Sequence, residues 1–409
     1  MNMNFEADTS SQWVRTSQPA RPASRRSAQI PASGAWQETD PLHGKKFLDL
    51  GDLPLENGAA LPAVRIAYET WGTLNADRSN AVLLLHALTG DSHVTRANPQ
   101  DPTEPVGWWE ALVGPGAPID TDKYFVVVPN VLGGCQGSTG PSSLAPDGKP
   151  YGGQFPVLTI RDLVAAEIAF TKELGLPKWA LVLGGSMGGL RVLEWAIMGP
   201  ESGVAVGAIG VIASSASTSG DQIAWAHPQL AAIERDEHFN NGDYYDAPVG
   251  KGPFRGLGIA RQIAHTTYRS AAELDIRFGR VPQHAEDPIY GGRFAVQSYL
   301  DYHGDKLAKR FDANSYVVLT QAMLTHDLGR DRGGVNLALS TITCPALIVA
   351  VDSDRLFPPS QSHRVAAHLP GAAPLETLHS DHGHDGFLIE FDQLAPIISK
   401  FVARTVAPN

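Results

Sequence analysis

The sequence predicts a protein of the α/β class, in which a mostly parallel sheet is flanked by helices. One observation is a series of short runs that are apolar throughout, at residues 81–86, 124–129, 179–183, 204–213 and 345–351. Runs of this length and composition are typical of strands that are buried on both faces of a sheet. A second observation is that helical patterns alternate with these runs in the first half of the chain, and such alternation is typical of a parallel sheet.

A third observation is the turn that follows the run 179–183. The motif Gly-Gly-Ser-Met-Gly at residues 184–188 ends the run, and a helical pattern follows at once as far as Gly199 and Pro200. Strand, Gly-x-Ser-x-Gly and helix in this order are the nucleophile elbow of the α/β-hydrolase fold, whose strained turn holds the serine above the sheet edge. The motif alone is weak in a chain with 41 glycines, but the flanking strand and helix make it specific. We therefore predict this fold, with Ser186 as the nucleophile.

Length and composition limit the function classes. At 409 residues with 43% hydrophobic content, the chain can form one large domain with an insertion or two small domains. A formal charge of -11 argues against a nucleic-acid or anionic-membrane partner. Cys135 and Cys344 are too few for a disulfide framework, and the sequence has neither an 18-residue apolar run nor a signal-peptide core. We expect a cytoplasmic location.

The first part of the chain, residues 1–40, is rich in Ser, Arg, Gln, Pro and Ala and shows no periodicity. This composition predicts a disordered tail. Its arginines would also fit an organellar transit peptide, but Glu6, Asp8 and the lack of an amphipathic stripe favour a plain tail.

The elements before the elbow have clear local signals. Residues 64–71 alternate like a half-buried strand, and the loop at residues 130–141 contains four glycines that bring its backbone close to a neighbour. A helix is predicted over residues 159–174, with Thr159 as its N-cap and Asp162 in its first turn.

A change in composition divides the predicted core into two parts. Residues 41–213 form the first part, with the oxyanion loop and the elbow. Residues 214–336 are more polar and helical, without a strand signal, and we predict that they form a helical lid over the active-site edge. Residues 337–409 complete the core with the last strands, at 345–351 and 374–378.

The position of the catalytic acid follows from the chain order of this fold. A serine hydroxyl needs a base, and the base needs an orienting carboxylate. In α/β-hydrolases the order is Ser, then Asp or Glu, then His, on loops after late strands. The loop after residue 351 offers Asp352 and Asp354. We select Asp354, because Asp352 stands where the strand is still ending.

The base is expected in the loop after the last strand. His384 is flanked by Gly383 and Gly386 and is followed by apolar residues, as a tight turn in front of a buried segment would be. His379 and His382 are expected to be solvated loop histidines.

Two backbone N–H groups are predicted to form the oxyanion hole. Met187 N–H follows the serine at the N-terminus of a helix, where developing negative charge is favoured. Leu88 N–H lies in the loop after the strand that ends at His86, which is where this fold has its second donor.

A metal site is the competing interpretation of the last loop, because His379, His382, His384 and Asp385 are close in sequence. No second cluster with ligand spacing accompanies them, and the triad already uses this loop. We therefore expect no metal and no bound cofactor.

Several longer motifs are more specific than the elbow. They are His-Ala-Leu-Thr-Gly at 86–90, Asn-Val-Leu-Gly-Gly-Cys-Gln-Gly-Ser-Thr-Gly-Pro at 130–141, Gly-Gly-Ser-Met-Gly-Gly at 184–189, Ser-Asp-Arg-Leu-Phe-Pro at 353–358 and Gly-His-Asp-Gly-Phe at 383–387, with lid segments at 256–263, 268–270 and 297–305. With these motifs the chain, from about residue 47 to its C-terminus, resembles the homoserine O-acetyltransferases of methionine biosynthesis, the MetX group of α/β-hydrolase-fold acyltransferases.

The resemblance implies roles for particular residues. Its nucleophile, acid and base fall on the three residues already selected. Its arginine for the homoserine carboxylate falls on Arg261, with Tyr268 nearby, and its carboxylate for the homoserine amino group falls on Asp385. From the residues alone, Arg261 would be a charge on the lid surface.

The reaction implied by the resemblance is transfer of an acetyl group from acetyl-CoA to the hydroxyl of L-homoserine, by a ping-pong mechanism through an acetyl-serine. A homodimer formed through the lid is also implied. Family members specific for succinyl-CoA carry an arginine two residues after the catalytic Asp, where this chain has Leu356. This favours acetyl-CoA, although the adjacent Arg355 keeps succinyl transfer open. Acyl transfer to serine and hydrolysis by an esterase also stay open.

Overall fold

An eight-stranded sheet runs through the computed structural model, which describes residues 30–98 and 100–406. The strands of the described residues are β1 Lys46–Pro54, β2 Ala60–Trp71, β3 Ala81–Leu85, β4 Val113–Gly114, β5 Ile119–Asp120, β6 Phe125–Pro129, β7 Lys178–Trp179, β8 Leu181–Gly185, β9 Ala205–Val206, β10 Ile209–Ile212, β11 Ala346–Val351 and β12 Glu376–Leu378.

The α-helices of the same part of the chain cover both faces of the sheet, and six of them come between β10 and β11 in the sequence. They are α1 Ile160–Glu173, α2 Met187–Glu201, α3 Gly220–Glu234, α4 Phe254–Tyr268, α5 Ala271–Arg277, α6 Ala295–Ala308, α7 Ala313–Leu324, α8 Val335–Ser340, α9 Pro359–His368 and α10 Phe391–Thr405. None of the helices described is long and apolar enough to cross a membrane.

The strand order of the large sheet is β1-β2-β6-β3-β8-β10-β11-β12. Strands β6 to β12 in this order pair in parallel, whereas β1 and β2 join antiparallel at one edge. This confirms the mostly parallel sheet predicted from the apolar runs. Because the parallel strands end at one edge, the loops after β3, β8, β11 and β12 meet there.

The apolar strands are buried on both faces because two hydrophobic layers enclose the sheet. In β3, Leu83 and Leu85 pack into the layer that contains Trp179 and Trp195, while the alternate residues Val82 and Leu84 pack into the layer on the opposite face. Strand side chains alternate between faces, so a strand covered on both sides has no polar positions.

Helix α1 begins where its capping signal predicted. Thr159 is the N-cap, its hydroxyl accepts from Asp162 N–H, and Asp162 in turn accepts from the Thr159 N–H at 2.8 Å. This capping box satisfies donors that the first helical turn leaves unpaired.

Two predicted strands differ from the observed ones. The run 204–213 is divided into β9 and β10, and the run that begins at Trp179 is divided into β7 and β8. β7 and β9 leave the main sheet and pair with each other. At the break, Gly207 N–H donates to the Trp179 carbonyl at 2.8 Å, and a Cβ at Gly207 would lie only 2.8 Å from Ala180 O. Composition cannot indicate such a break, because both halves are apolar.

The predicted N-terminal tail is only partly covered by the structure. Its residues 1–29 lie outside the described residues. Beyond them the prediction is wrong, because Ile30 is 1% exposed, Gly34 N–H donates to Phe311 O at 3.2 Å and Trp36 N–H donates to Cys135 O at 2.9 Å. Contacts with distant parts of the chain order this segment, and its own composition could not reveal them.

The chain between β10 and β11 forms helices α3 to α8. α4 packs between α3 and α6, and it also contacts the turn after β12. Through α4, the helical segment therefore contacts the edge at which the parallel strands end. The boundary predicted at residues 336/337 falls within α8, so the helical segment extends to Ser340.

Candidate active site

Ser186 stands in the turn between β8 and α2. Its backbone has φ 56° and ψ -126°, a left-handed conformation that a residue with a side chain rarely adopts. The turn is tight because a Cβ at Gly188 would lie 2.0 Å from Leu85 O, so only glycine allows α2 to start so close to the end of β3. Ser214 Oγ donates to Ser186 O at 2.8 Å and ties the turn to the loop after β10.

His384 connects the serine to a carboxylate. Its Nε2 lies 2.8 Å from Ser186 Oγ, and its Nδ1 lies 2.7 Å from Asp354 Oδ2. The histidine is 3% exposed. Burial by itself lowers the pKa of His384, but the charge and hydrogen bond of Asp354 outweigh it, so the pKa is raised above its ordinary value. The structure thus joins the three residues selected from the sequence into one hydrogen-bonded chain.

Asp354 is fixed by the loop that carries it. Its Oδ1 accepts from Leu356 N–H at 2.8 Å and from Phe357 N–H at 2.9 Å, which leaves Oδ2 for the histidine. The Phe357 ring stacks on the His384 ring at 5.2 Å between centroids. These contacts restrain both the carboxylate and the imidazole.

The aspartate and histidines that were not selected for the triad lie elsewhere. Asp352 accepts from His379 Nδ1 at 2.9 Å and from Ser380 N–H at 3.0 Å, and both side chains of the Asp352–His379 pair are exposed. His382 lies 3.3 Å from Arg269 Nη1. Neither histidine reaches Ser186. No group of three or more His, Cys, Asp or Glu among residues 30–98 and 100–406 is arranged to hold a metal ion.

One predicted oxyanion donor directly follows Ser186 in the chain, and the other belongs to a loop that lines the same cavity. Met187 is the first residue of α2, and Leu88 lines the same cavity as Ser186 and His384. Within the described residues, no acceptor is hydrogen-bonded to either N–H. Both donors are therefore available to a negatively charged oxygen.

A cavity of about 110 Å³ lies over Ser186. Its floor comes from the core loops, and much of its wall comes from the helical insertion, through residues such as Trp225, Tyr268 and Met323. The wall is mostly apolar. A site of this kind restricts water and strengthens each electrostatic interaction inside it.

Arg261 is placed in this cavity by helix α4. Its Nη1 lies 3.4 Å from Thr89 Oγ1, and its guanidinium carbon lies 5.0 Å from the centroid of the Tyr268 ring. Tyr268 is in turn 6.0 Å from the His384 ring. The arginine is therefore half-buried against the cavity and is not the surface charge that residue type alone suggested.

Asp385 also lines the cavity and directly follows His384 in the chain. Burial raises the pKa of Asp385, and the charges of Arg269 and Arg261 oppose that rise. Arg269 Nε lies 3.2 Å from Asp385 Oδ2. Sequence reasoning gave Arg269 no role, although it stands in the motif at residues 268–270, directly after Tyr268.

Comparison with known proteins places the chain among enzymes of one fold. A family model described as the alpha/beta hydrolase fold matches residues 80–390. A homoserine O-acetyltransferase of Thermobifida fusca is 58% identical over 377 residues, which cover 92% of this chain and 98% of the relative. The solved structure of a homoserine O-acetyltransferase from Bacillus anthracis has a TM-score of 0.80 and 25% identity, covering 89% of this chain and 99% of its own. A solved esterase has a TM-score of 0.78 and 26% identity, covering 88% and 99%.

These similar proteins differ in the acceptor that their names imply. An acyl-serine can pass its acyl group to an alcohol or to water through the same histidine. The fold and the Ser–His–Asp geometry therefore do not select the acceptor, and the selection must depend on the other groups in the cavity.

Proposed function

The chain belongs to the homoserine O-acetyltransferases, and we propose that it transfers the acetyl group in two steps through an acetyl-serine at Ser186. The family reaction transfers an acetyl group to the hydroxyl of homoserine, in methionine biosynthesis. High identity over nine-tenths of the chain confirms the family predicted from the motifs. The observation that carries the two-step mechanism is the hydrogen-bonded chain from Ser186 through His384 to Asp354.

The first step acylates the enzyme. Ser186 Oγ gives its proton to His384 Nε2, 2.8 Å away, and attacks the thioester carbonyl of acetyl-CoA. The oxyanion accepts hydrogen bonds from Leu88 N–H and Met187 N–H. The carbon–sulfur bond breaks, and CoA leaves as a thiol with the proton that His384 returns. Asp354 stabilises the imidazolium throughout this step.

The second step transfers the acetyl group to the acceptor. The γ-hydroxyl of homoserine gives its proton to His384 and attacks the acetyl-serine carbonyl. The same N–H groups hold the second oxyanion. The bond to Ser186 Oγ breaks, the serine recovers its proton from His384, and O-acetyl-L-homoserine leaves. Atoms and charge balance, because one proton moves in and out through the same nitrogen.

Two charged side chains in the cavity support homoserine as the acceptor. Both residues line the cavity. Arg261 can fork onto a carboxylate, and Asp385 can pair with an ammonium group. The substrate brings one charge of each sign, so both charges gain a partner when water is excluded. The Tyr268 ring beneath Arg261 limits the positions of the guanidinium.

The donor is proposed to be acetyl-CoA. Leu356 lines the cavity and offers no partner for a succinyl carboxylate. Arg355 is exposed, and its guanidinium lies 5.5 Å from the Trp225 ring centroid. Succinyl transfer would need that arginine to turn into the cavity. Acetyl-CoA is a co-substrate in this scheme, and no step uses a metal or a bound cofactor.

Hydrolysis is the second candidate function, since an esterase has nearly the same fold. The mostly apolar wall and the pair of opposite charges favour transfer, because they restrict water and hold an acceptor beside the acyl group.

A homodimer formed through the helical insertion is part of the proposal. Several apolar residues of this segment are exposed, among them Ile276 at 79%, Ile289 at 88% and Tyr290 at 82%. Neighbouring apolar residues with such exposure are frequent at subunit interfaces. Sedimentation of the wild type should give a dimer, and Ile289→Asp together with Tyr290→Asp should give a monomer; a monomeric wild type would refute this assembly.

The acyl-CoA and amino-acid substrates suggest the cytoplasm as the location.

The proposal is tested by supplying donors and acceptors separately. Enzyme incubated with acetyl-CoA alone should carry one acetyl group, and mass spectrometry should find it on Ser186. Each of acetyl-CoA and succinyl-CoA is then combined with homoserine, with serine and with water, and the products are identified by mass. Acetylation on Cys135 in place of Ser186, or equal CoA release with and without homoserine, would refute the mechanism.

A further inference from the structure

The peptide that carries the Leu88 N–H is held from its other side. The Ala87 carbonyl oxygen, in the same peptide unit, accepts from Gly90 N–H at 2.9 Å and lies 2.8 Å from His86 Nδ1. A trans peptide is planar, and its N–H points away from its carbonyl oxygen. Whatever holds the Ala87 carbonyl therefore also sets the direction of the Leu88 N–H.

His86 can donate to this carbonyl because its tautomer is fixed. Its Nε2 lies 3.0 Å from the backbone nitrogen of Val131, which can only donate. Burial, with the charge of Arg191, lowers the pKa of His86 to about 3, so the ring is neutral under physiological conditions. A neutral ring that accepts at Nε2 carries its proton on Nδ1. Nδ1–H therefore donates to the Ala87 carbonyl.

The backbone of His86 is held by a buried arginine. Arg191 has no exposed surface, and its Nη2 donates to the His86 carbonyl at 2.5 Å while its Nη1 donates to Glu167 Oε1 at 2.5 Å. The second oxygen of Glu167 accepts from Trp195 Nε1 at 2.7 Å. The helix that follows the nucleophile is thus tied to the residue in front of the oxyanion loop.

The turn after Leu88 is shaped to lie against the His86 ring. A Cβ at Gly90 would stand 2.9 Å from His86 Cβ and 3.2 Å from His86 Nδ1. A side chain at this position would push the turn off the ring. The close approach allows the ring and the Gly90 N–H to reach the same carbonyl oxygen.

We propose that His86 is a positioning residue, which aims the Leu88 N–H at the oxyanion through its hydrogen bond to the Ala87 carbonyl, and that Arg191 holds it in place. This inference rests on the proposed function, because it assigns a task to a donor that both steps use. His86 itself touches neither substrate nor the serine in this scheme.

Two variants of His86 separate its hydrogen bond to the Ala87 carbonyl, which positions the Leu88 N–H, from its hydrogen bond with the Val131 N–H, which only holds the ring. His86→Asn places an amide where Nδ1 stands, so it keeps a donor for Ala87 O and loses the contact with Val131. His86→Gln reaches the Nε2 position, so it keeps an acceptor for Val131 N–H and loses the donor for Ala87. Loss of an oxyanion donor costs roughly 10²- to 10³-fold in kcat, and a misdirected donor should cost part of that. We expect kcat of His86→Gln to fall by roughly 10- to 100-fold, and that of His86→Asn to stay at least several times higher.

The readout is the rate of each half-reaction. CoA release in the first turnover and decay of the acetyl-enzyme with homoserine should slow by the same factor in His86→Gln, because an oxyanion forms in both. KM for homoserine should change less than kcat. Arg191→Lys is a further variant, whose lysine can still pair with Glu167 but cannot also reach the His86 carbonyl. It should slow both half-reactions by the same factor, and by a smaller factor than His86→Gln does.

Three outcomes would overturn the inference while leaving the two-step mechanism intact. The first two are an equal loss of kcat in His86→Asn and His86→Gln, and a higher kcat in His86→Gln than in His86→Asn. The third applies if the His86 variants do not fold, and it is that both half-reactions of Arg191→Lys run at the wild-type rate. The wild type is measured beside them. A wild type that is never acetylated on Ser186 would refute the proposed function, and the inference with it.

Discussion

Replacement of Arg261 by lysine should separate acceptor recognition from acyl transfer. A lysine keeps the positive charge but loses the planar fork that meets a carboxylate with two hydrogen bonds, and it loses the stacked position 5.0 Å from the Tyr268 ring. Only the second step uses the homoserine carboxylate. The substitution should therefore leave formation of the acetyl-enzyme close to its wild-type rate and slow its decay with homoserine.

The magnitude follows from the contacts that are lost. A hydrogen bond to a charged group contributes about 1.5–3 kcal/mol, and an arginine over an aromatic ring contributes about 0.5–1 kcal/mol. Because lysine retains one charged donor, we expect a loss of about 1–3 kcal/mol in kcat/KM for homoserine, which is roughly 5- to 150-fold. The variant should accumulate acetylated protein when homoserine is limiting.

The assay is stopped-flow measurement of CoA release beside steady-state turnover, with the acetylated fraction measured by mass spectrometry. Arg255→Lys is the matched control, because Arg255 is on the same helix, is exposed and pairs with Glu237 at 2.7 Å away from the cavity. The control should behave as the wild type in both steps. Equal losses in both half-reactions of Arg261→Lys would show that this arginine supports the fold or the CoA site, and its assignment to homoserine would fail.

Further predictions concern the triad and its protons. Ser186→Ala should lower kcat by roughly 10³-fold or more while thermal unfolding stays near that of the wild type; an active variant would refute the nucleophile. Asp354→Asn should lose most activity, whereas Asp352→Asn, on the exposed pair with His379, should lose little, and the reverse order of kcat values would show that the acid is misassigned. The neutral form of His384 is the base, and Asp354 raises the pKa of His384. The profile of kcat/KM against pH should therefore rise through a pKa above the ordinary histidine value. A rise through a pKa below that value would contradict the effect of Asp354 on His384.

The sequence predicted the parts of the site that depend on local order. The strand, the Gly-x-Ser-x-Gly turn and the helix around Ser186 are contiguous, and the glycines are required by contacts that any such turn makes. The choices of Asp354 and His384 needed the chain order of the fold, the ends of two strands and the glycines that flank His384. Their hydrogen bonds in the structure join residues that are far apart in sequence but follow strands β8, β11 and β12, which belong to one sheet.

Other parts of the structure could not be predicted, because they depend on tertiary contacts between residues without a local signal. The Arg191–Glu167 pair joins two helices through a buried contact, and an arginine in a helix is ordinarily exposed. The pairing of Arg269 with Asp385 depends on the angle at which helix α4 meets the turn after β12. The order of residues 30–36 likewise comes from contacts with Phe311 and Cys135, not from its composition.

In the proposed function, the two charges in the cavity allow a hydrolase-like triad to favour homoserine over water. Water is in great molar excess and needs no recognition, so an exposed acetyl-serine would be hydrolysed. The apolar wall restricts water, but it also makes any unpaired charge costly to bury. In the proposed function, Arg261 and Asp385 offset that cost for an amino-acid acceptor such as homoserine, which supplies an anion and a cation at a fixed distance from its hydroxyl. An acceptor held in this way has an effective concentration far above its concentration in solution. On this proposal the lid contributes specificity through its arginine as well as its apolar surface, while the core loops contribute the chemistry.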